Sequence, residues 1–199
     1  MNKTQSATSK EIRLGVGTTE WELIRKCQKG DLAAYEDITA KYYRRVFMVI
    51  LGMVHDRDDA MDVAQETFYR AFKSIKRFQG GSNFYTWIYR IAVNLAIDFQ
   101  RRKKRSPVDL KENMDEVIVE TEALGGDPFR ELRDRRLGEK LLRAIEELTP
   151  DHKAVIVMRA VEGLSYKEIG RIMGCSEGTI MSRLHYARKK LQEKLGTDL

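Results

Sequence analysis

Cysteine is nearly absent: 199 residues hold two, Cys27 and Cys175, far apart and sharing no ligand spacing with His55, His152 and His185. Neither a disulfide framework nor a zinc site is therefore indicated, and a reducing cytoplasm fits best. Long apolar runs are missing too. The N-terminus is polar, and no stretch of roughly 18 apolar residues occurs, so the expectation is a soluble protein without membrane insertion. No segment alternates in the manner of a strand for more than a few residues, whereas apolar residues recur three and four apart almost throughout. That periodicity predicts an all-α fold. Paired acidic metal ligands, a nucleotide-binding glycine loop and a nucleophile–base constellation are likewise not found, so no catalytic residue, metal or cofactor is expected and the chain does not read as an enzyme.

What is abundant is charge, and it is unevenly placed. The 36 Lys and Arg against 30 Asp and Glu leave +6. Residues 1–105 carry 20 basic and 12 acidic side chains, residues 106–134 carry 3 and 9, and residues 135–199 carry 13 and 9. Two basic blocks around an acidic one suggest two nucleic-acid-facing modules joined by a segment that nucleic acid repels.

Local signals divide the chain accordingly. Residues 1–17 read as a frayed tail. Thr19 and Glu22 have capping-box spacing for a first helix ending near Gly30, and Asp31 caps a second that runs to Val54. A third helix carries the apolar stripe Val63, Ala64, Phe68, Ala71, Phe72 and Ile75, with Asp58, Asp59 and Asp62 near its positive end. Phe78 to Ser82 breaks the pattern, and Ser82 is placed to cap a fourth helix reaching about Lys104. Residues 106–127, with Pro107, Gly125, Gly126 and seven acidic residues against one Lys, read as linker. Asp127 and Pro128 are positioned as cap and first residue of a helix with Leu137, Leu141, Leu142, Ile145 and Leu148 on one face. Thr149-Pro150-Asp151 opens the next, which stops at Gly163. The organisation is a tail (1–17), a domain (18–105), a linker (106–134) and a second domain (135–197).

Two segments carry recognition chemistry. Ser165 and Glu168 form a second capping box, Gly174 permits a left-handed turn, Ser176 caps the following helix, and Gly170 and Ile180 let two short helices approach and interlock. The 170, 174, 180 spacing is that of a DNA-binding helix-turn-helix; the plainer alternative is an ordinary helical hairpin. Polar and basic groups along its second helix (Ser182, Arg183, His185, Arg188, Lys189, Lys190) favour base edges first and phosphates later. In the fourth helix, Phe84, Ile88, Ile91 and Leu95 form the core stripe, while Trp87, Arg90, Asn94 and Arg101 share one flank that a nucleic-acid strand could follow. Arg101 to Arg105 extend it as a basic run. Tyr85, Trp87 and Tyr89 could instead complete the core.

Taken together these segments resemble the extracytoplasmic-function (ECF) sigma factors, the compact members of the primary sigma family. The run Asp58-Asp59-Ala60-Met61-Asp62-Val63-Ala64-Gln65-Glu66-Thr67-Phe68 is similar to the family's core-polymerase-binding motif, and Phe84-Tyr85-Thr86-Trp87-Ile88-Tyr89-Arg90-Ile91-Ala92-Val93-Asn94 to its promoter-melting segment. The resemblance implies binding to core RNA polymerase, through its beta-prime clamp helices and its beta subunit, with Asp58, Asp62, Gln65, Glu66 and Phe68 as contacts. It implies minus-ten recognition and melting by Phe78, Ser82, Tyr85, Trp87, Arg90, Asn94, Arg101 and Arg102, with Phe78 and Asn94 forming a pocket for a flipped base; Phe78 could alternatively anchor its loop in the core. Minus-thirty-five recognition falls to Ser165, Ser176, Glu177, Thr179, Met181, Ser182, Arg183, His185, Tyr186 and Arg188. Met181 and Tyr186 depart from the Arg or Lys that relatives commonly carry, so a bidentate guanine contact does not transfer to either. An anti-sigma factor, often membrane-bound in the family, is the implied restraint, and the acidic linker is implied to thread the polymerase near the RNA path; the plainer alternative is acidity for solubility alone. The competing readings are a stand-alone helix-turn-helix transcription regulator, and an all-helical enzyme or RNA-binding module using the same basic surface.

Overall fold

The computed structural model describes residues 19–80, 82–105 and 135–196. Among them are eight α-helices, one 3-10 turn and no strand. The tail, the linker and the helix start at Asp127 lie outside the described residues, as does the Leu137 side chain.

The first unit is a four-helix bundle. Helix α1 (Glu20–Gln28) opens on the Thr19–Glu22 capping box: the Thr19 hydroxyl accepts from the Glu22 amide, and the Glu22 carboxylate accepts from the Thr19 amide at 2.8 Å. Asp31 caps α2 (Leu32–Val54). That helix ends at His55, whose φ of +64° is left-handed, a state unusual for a residue with a Cβ. Asp56 caps α3 (Arg57–Ser74), which runs into the 3-10 turn Ile75–Arg77. Helix α4 (Phe84–Arg105) starts one residue later than Ser82 would set it. The Asn83 carbonyl accepts from the Trp87 amide, so Ser82 stands ahead of the cap position. Of the expected α3 stripe, Val63, Ala64, Phe68, Ala71 and Ile75 are buried, but Phe72 is exposed and sits edge-on to Tyr35. The bundle's largest fully enclosed side chains include Ile38, Ile50, Met53, Ile75, Ile88 and Tyr89. Two of its buried polar side chains are tied to backbone: Thr67 donates to the Val63 carbonyl and Gln100 to the Met53 carbonyl, while the Gln100 Oε1 and the Tyr89 hydroxyl are buried without a hydrogen-bond partner among the described residues.

The second unit comprises α5 (Arg135–Glu146), α6 (Pro150–Glu162), α7 (Tyr166–Met173) and α8 (Glu177–Leu195). Thr149 caps α6 with Pro150 at its first position, and Gly163 closes it at a φ of +65°. Helix α6 also lies across α2 and α4, and α7 against α4, so one apolar cluster continues from the bundle into Ala154, Val155, Val157 and Met158.

Candidate nucleic-acid interface

The helix-turn-helix is built by local chemistry. The Ser165 hydroxyl accepts from the Glu168 amide, and the Glu168 carboxylate accepts from the Ser165 hydroxyl at 2.6 Å and from the Ser165 amide at 2.8 Å; the two bonds to the carboxylate hold it below the usual range. Gly174 turns at a φ of +68°. A Cβ on Gly170 would lie 2.7 Å from the Cys175 carbonyl oxygen, so close approach of the turn to α7 requires glycine there. The Ser176 hydroxyl accepts from the Thr179 amide at 3.2 Å and pairs with the Thr179 hydroxyl at 2.9 Å. Ile180, Leu184 and Ala187 form the inner face of α8.

That inner face leaves Glu177, Met181, Ser182, His185, Tyr186 and Arg188 on the outside. Met181 and Tyr186 are 56% and 60% exposed, apolar bodies standing free at the surface, and the Tyr186 ring lies edge-on to His185. The remaining expected readers are committed elsewhere. Ser165, Ser176 and Thr179 spend their hydroxyls on caps. Arg183 turns back into the molecule, with its guanidinium 3.2 Å from Asp151 and against the sulfurs of Met173 and Cys175.

On α4 the structure separates the aromatic residues. Tyr85 and Trp87 are two positions apart, about 200° around a helix, so they cannot share an edge. Tyr85 lies at the junction instead, its ring 5.1 Å below the Arg45 guanidinium and 4.3 Å from the Tyr89 ring, with its hydroxyl buried. Trp87 is half-buried, and Arg90, Asn94, Arg101 and Arg102 are exposed. Phe78 is 7% exposed: it meets Phe84 at 5.6 Å and Trp87 at 5.2 Å, and anchors its loop rather than offering a face to a base.

On α3, Asp58, Asp62 and Gln65 form an exposed row at four- and three-residue spacing. Glu66 is half-buried and paired with Arg70 at 2.6 Å, and Phe68 is buried against Tyr43, supporting that face from inside rather than lying on it. The row continues as exposed Tyr69 and Phe72, seven residues beyond Asp62 and Gln65, which the sequence reading left out or assigned to the interior. The periodicity that gave Gln65 would have given both.

The junction between the units engages several basic side chains. Arg45 binds Glu162 through Nε and Nη2 at 2.8 and 2.6 Å, the Glu162 side chain being 7% exposed. Arg101 meets Asp151 at 3.1 Å, so this carboxylate bridges the basic edge of α4 and Arg183 of α8. Arg90 donates to the Arg171 carbonyl and Lys104 to the Leu148 carbonyl. Beneath them Lys153 is buried, which pushes its ammonium down to about 8, and His55 lies half-buried beside it with its Nε2 covered, so that desolvation and then the Lys153 charge pull the imidazole down to about 3. Among the described residues no cluster of three or more His, Cys, Asp or Glu could hold a metal ion, and no helix is long and apolar enough to cross a membrane.

Comparison with known proteins agrees with this architecture. Residues 38–106 match the family model for Sigma-70 region 2, and residues 138–191 that for Sigma-70, region 4. The chain is 36% identical over 181 residues to the ECF RNA polymerase sigma-E factor of Haemophilus influenzae, covering 89% of this chain and 95% of that one. To the RNA polymerase sigma-H factor of Pseudomonas aeruginosa it is 33% identical over 182 residues, covering 87% and 92%. In fold it is similar to CnrH, solved in complex with the cytosolic domain of CnrY (TM-score 0.63, 22% identity, 89% of this chain and 97% of that one). It is also similar to the sigma factor RpoE of Bartonella quintana, solved with the anti-sigma factor NepR (TM-score 0.62, 24% identity, 83% and 98%). An all-helical chain with both sigma regions, in order and over most of its length, belongs to the extracytoplasmic-function sigma factors of bacterial RNA polymerase.

Proposed function

We propose that the chain docks on core RNA polymerase through the exposed α3 row, captures the unpaired minus-ten strand along the loop after α3 and the Trp87–Asn94 edge of α4, and reads the minus-thirty-five element with α8 in the major groove. RNA synthesis belongs to the polymerase. The observation that carries this reading is the α4 edge: a half-buried indole, an exposed amide and exposed guanidiniums on one flank of a core helix. Packing does not require that combination, whereas an unpaired strand needs stacking, base-edge hydrogen bonds and phosphate contacts together.

In this reading the packed arrangement is not the DNA-bound one. Two elements about 25 base pairs apart are separated by roughly 85 Å of duplex at 3.4 Å per step. A packed body of about 150 residues has a diameter near 40 Å. The 29 residues of 106–134 reach at most roughly 100 Å when extended, so the units can separate and still span the promoter. Arg90, Arg101 and Arg183 then exchange carbonyl and Asp151 partners for phosphates. An anti-sigma factor that favours the packed arrangement is the corresponding restraint.

The test is transcription in vitro with core polymerase over a library of promoter sequences, with permanganate footprinting of the opened region. The expected result is a stable assembly with core polymerase and opening that depends on this chain. A chain that binds a promoter duplex specifically by itself and forms no assembly with core polymerase overturns the reading in favour of a stand-alone regulator.

A further inference from the structure

With Phe78 buried, its loop needs another aromatic face if a base is to stack there. The structure supplies one from α1, which had no assigned role. Trp21 is 44% exposed, and its ring meets Phe78 edge-on at 5.8 Å and 70°, so a continuous row runs from Trp87 through Phe78 to Trp21. The other edge of the indole lies on the loop backbone. Gly80 has a φ of +76°, and a Cβ there would come within 2.5 Å of the Trp21 Cζ2. Two turns along the same face of α1, the Gln28 amide donates to the carbonyls of Ile75 at 3.1 Å and Phe78 at 2.7 Å. Helix α1 therefore clamps the segment between Ile75 and Gly80 at both ends, with Gln28 holding backbone and Trp21 covering the tip. Lys76 and Arg77 are exposed within that segment. An exposed indole beside two free-standing cations is complementary to a base and its phosphates, and has no use in a buried core.

We propose that Trp21 is a further binding residue of strand capture: its outer face stacks on a base of the unpaired non-template strand while its inner edge fixes the Gly80 turn. The proposal deepens the minus-ten reading above and rests on it. It makes the base beside the Phe78–Gly80 loop a stacked one, contacted from α1 as well as from α4.

The experiment uses the full chain assembled with core polymerase, and single-stranded oligonucleotides carrying the non-template minus-ten sequence. Trp21→Ala is expected to weaken oligonucleotide binding about tenfold or more, and Trp21→Phe to restore most of it, with affinity for core polymerase unchanged. A series of oligonucleotides with one abasic position each then separates stacking from mere loop support. At the stacked position, wild type loses on base removal what Trp21→Ala has already lost, so the two changes are non-additive there and additive elsewhere. Additivity at every position, or an unaltered Trp21→Ala affinity, overturns the proposal. Failure of the wild-type assembly to bind the oligonucleotide at all overturns the minus-ten reading itself, a distinguishable outcome.

Discussion

The interior of the first bundle and the junction between the two units are both buried, but they are made of different material. The bundle encloses Ile38, Ile50, Met53, Ile75 and Ile88, and its few buried polar groups are neutral. At the junction, α6 brings in apolar side chains together with Lys153, the one buried cation among the described residues, opposite a half-buried neutral His55 and inside a rim of Arg–carboxylate pairs. Apolar burial is indifferent to pH and weakly dependent on salt; buried titratable groups and rim ion pairs are neither. The bundle is therefore the fixed part of the molecule, and the junction is the part that solution conditions and a polyanion can open.

The largest effect belongs to the bundle. Ile88→Ala removes a fully enclosed side chain and is expected to cost about 2–5 kcal/mol, measured by urea unfolding of the full chain. That loss should be the same at pH 7 and pH 5.5. A strongly pH-dependent penalty would mean that the titrating groups are coupled to the bundle interior and that the contrast is false.

The next effect is the pH dependence itself. His55 titrates near 6.5 when solvated and about 3 in the fold, so between these values the unfolded chain binds more protons than the folded one. Stability consequently falls as the pH drops through that window, by about 2 kcal/mol between pH 7 and 5 if no other group intervenes. Lys153, brought to about 8, is protonated in both states over this range and contributes no slope. Glu20 is partly buried, which works against its charge, but hydrogen bonds from Lys41 and Tyr42 hold it below its ordinary 4.5, so its contribution is lost only at lower pH. His55→Asn keeps a residue that tolerates the left-handed conformation and removes the titration. His152, also held below its ordinary value by burial and then by the Arg183 charge, keeps a slope of the same sign, so thermal melts of the variant should decline less between pH 7 and 5 than those of wild type; parallel curves would place the titrating group elsewhere.

Much of this was legible from sequence, and the boundary is instructive. Asp56, at the start of α3, was not singled out and Ser82 falls ahead of the α4 cap position, whereas the caps at Thr19, Asp31, Ser165 and Ser176 were readable because such hydrogen bonds depend on local spacing alone. The same holds for the glycine-dependent turn at Gly174 and for the Trp87–Asn94 flank. What sequence left open depended on the partner element. Phe78 reads either as a stacking face or as a loop anchor, and Phe84, Trp87 and Trp21 around it favour the anchor; Tyr85 reads either with Trp87 or with the core, and it faces Arg45 across the junction. Trp21 was passed over because α1 reads as an ordinary amphipathic helix, and only the fold brings it over Gly80. The junction was invisible for the same reason: Arg45 and Glu162 are 117 residues apart.

Glu162→Gln tests whether the rim holds the junction closed. The Glu162 carboxylate is almost fully covered, but half of the Arg45 side chain faces water and can be resolvated, so the loss should be about 1–2 kcal/mol rather than that of a wholly buried pair. Small-angle scattering of the free chain should show a larger radius of gyration for the variant at moderate salt, and wild type should approach it as ionic strength rises. Equal radii at all salt concentrations would mean that the apolar contacts of α6 alone keep the units together.

The smallest effect is the most informative about DNA. Asp151 pairs with Arg101 and with Arg183, both partly solvated contacts worth no more than about 1 kcal/mol each. If both guanidiniums leave Asp151 for phosphates when DNA binds, Asp151→Asn removes a competitor without adding a contact. The plot of log affinity against log salt for the assembled polymerase should then keep its slope, since the number of neutralised phosphates is the same, and shift upward by roughly two- to fivefold. A steeper slope would mean that Asp151 holds one arginine back even in the bound state. An unmoved line would mean that neither arginine reaches a phosphate, and that the basic edge of α4 acts through Asn94 and Arg102 instead.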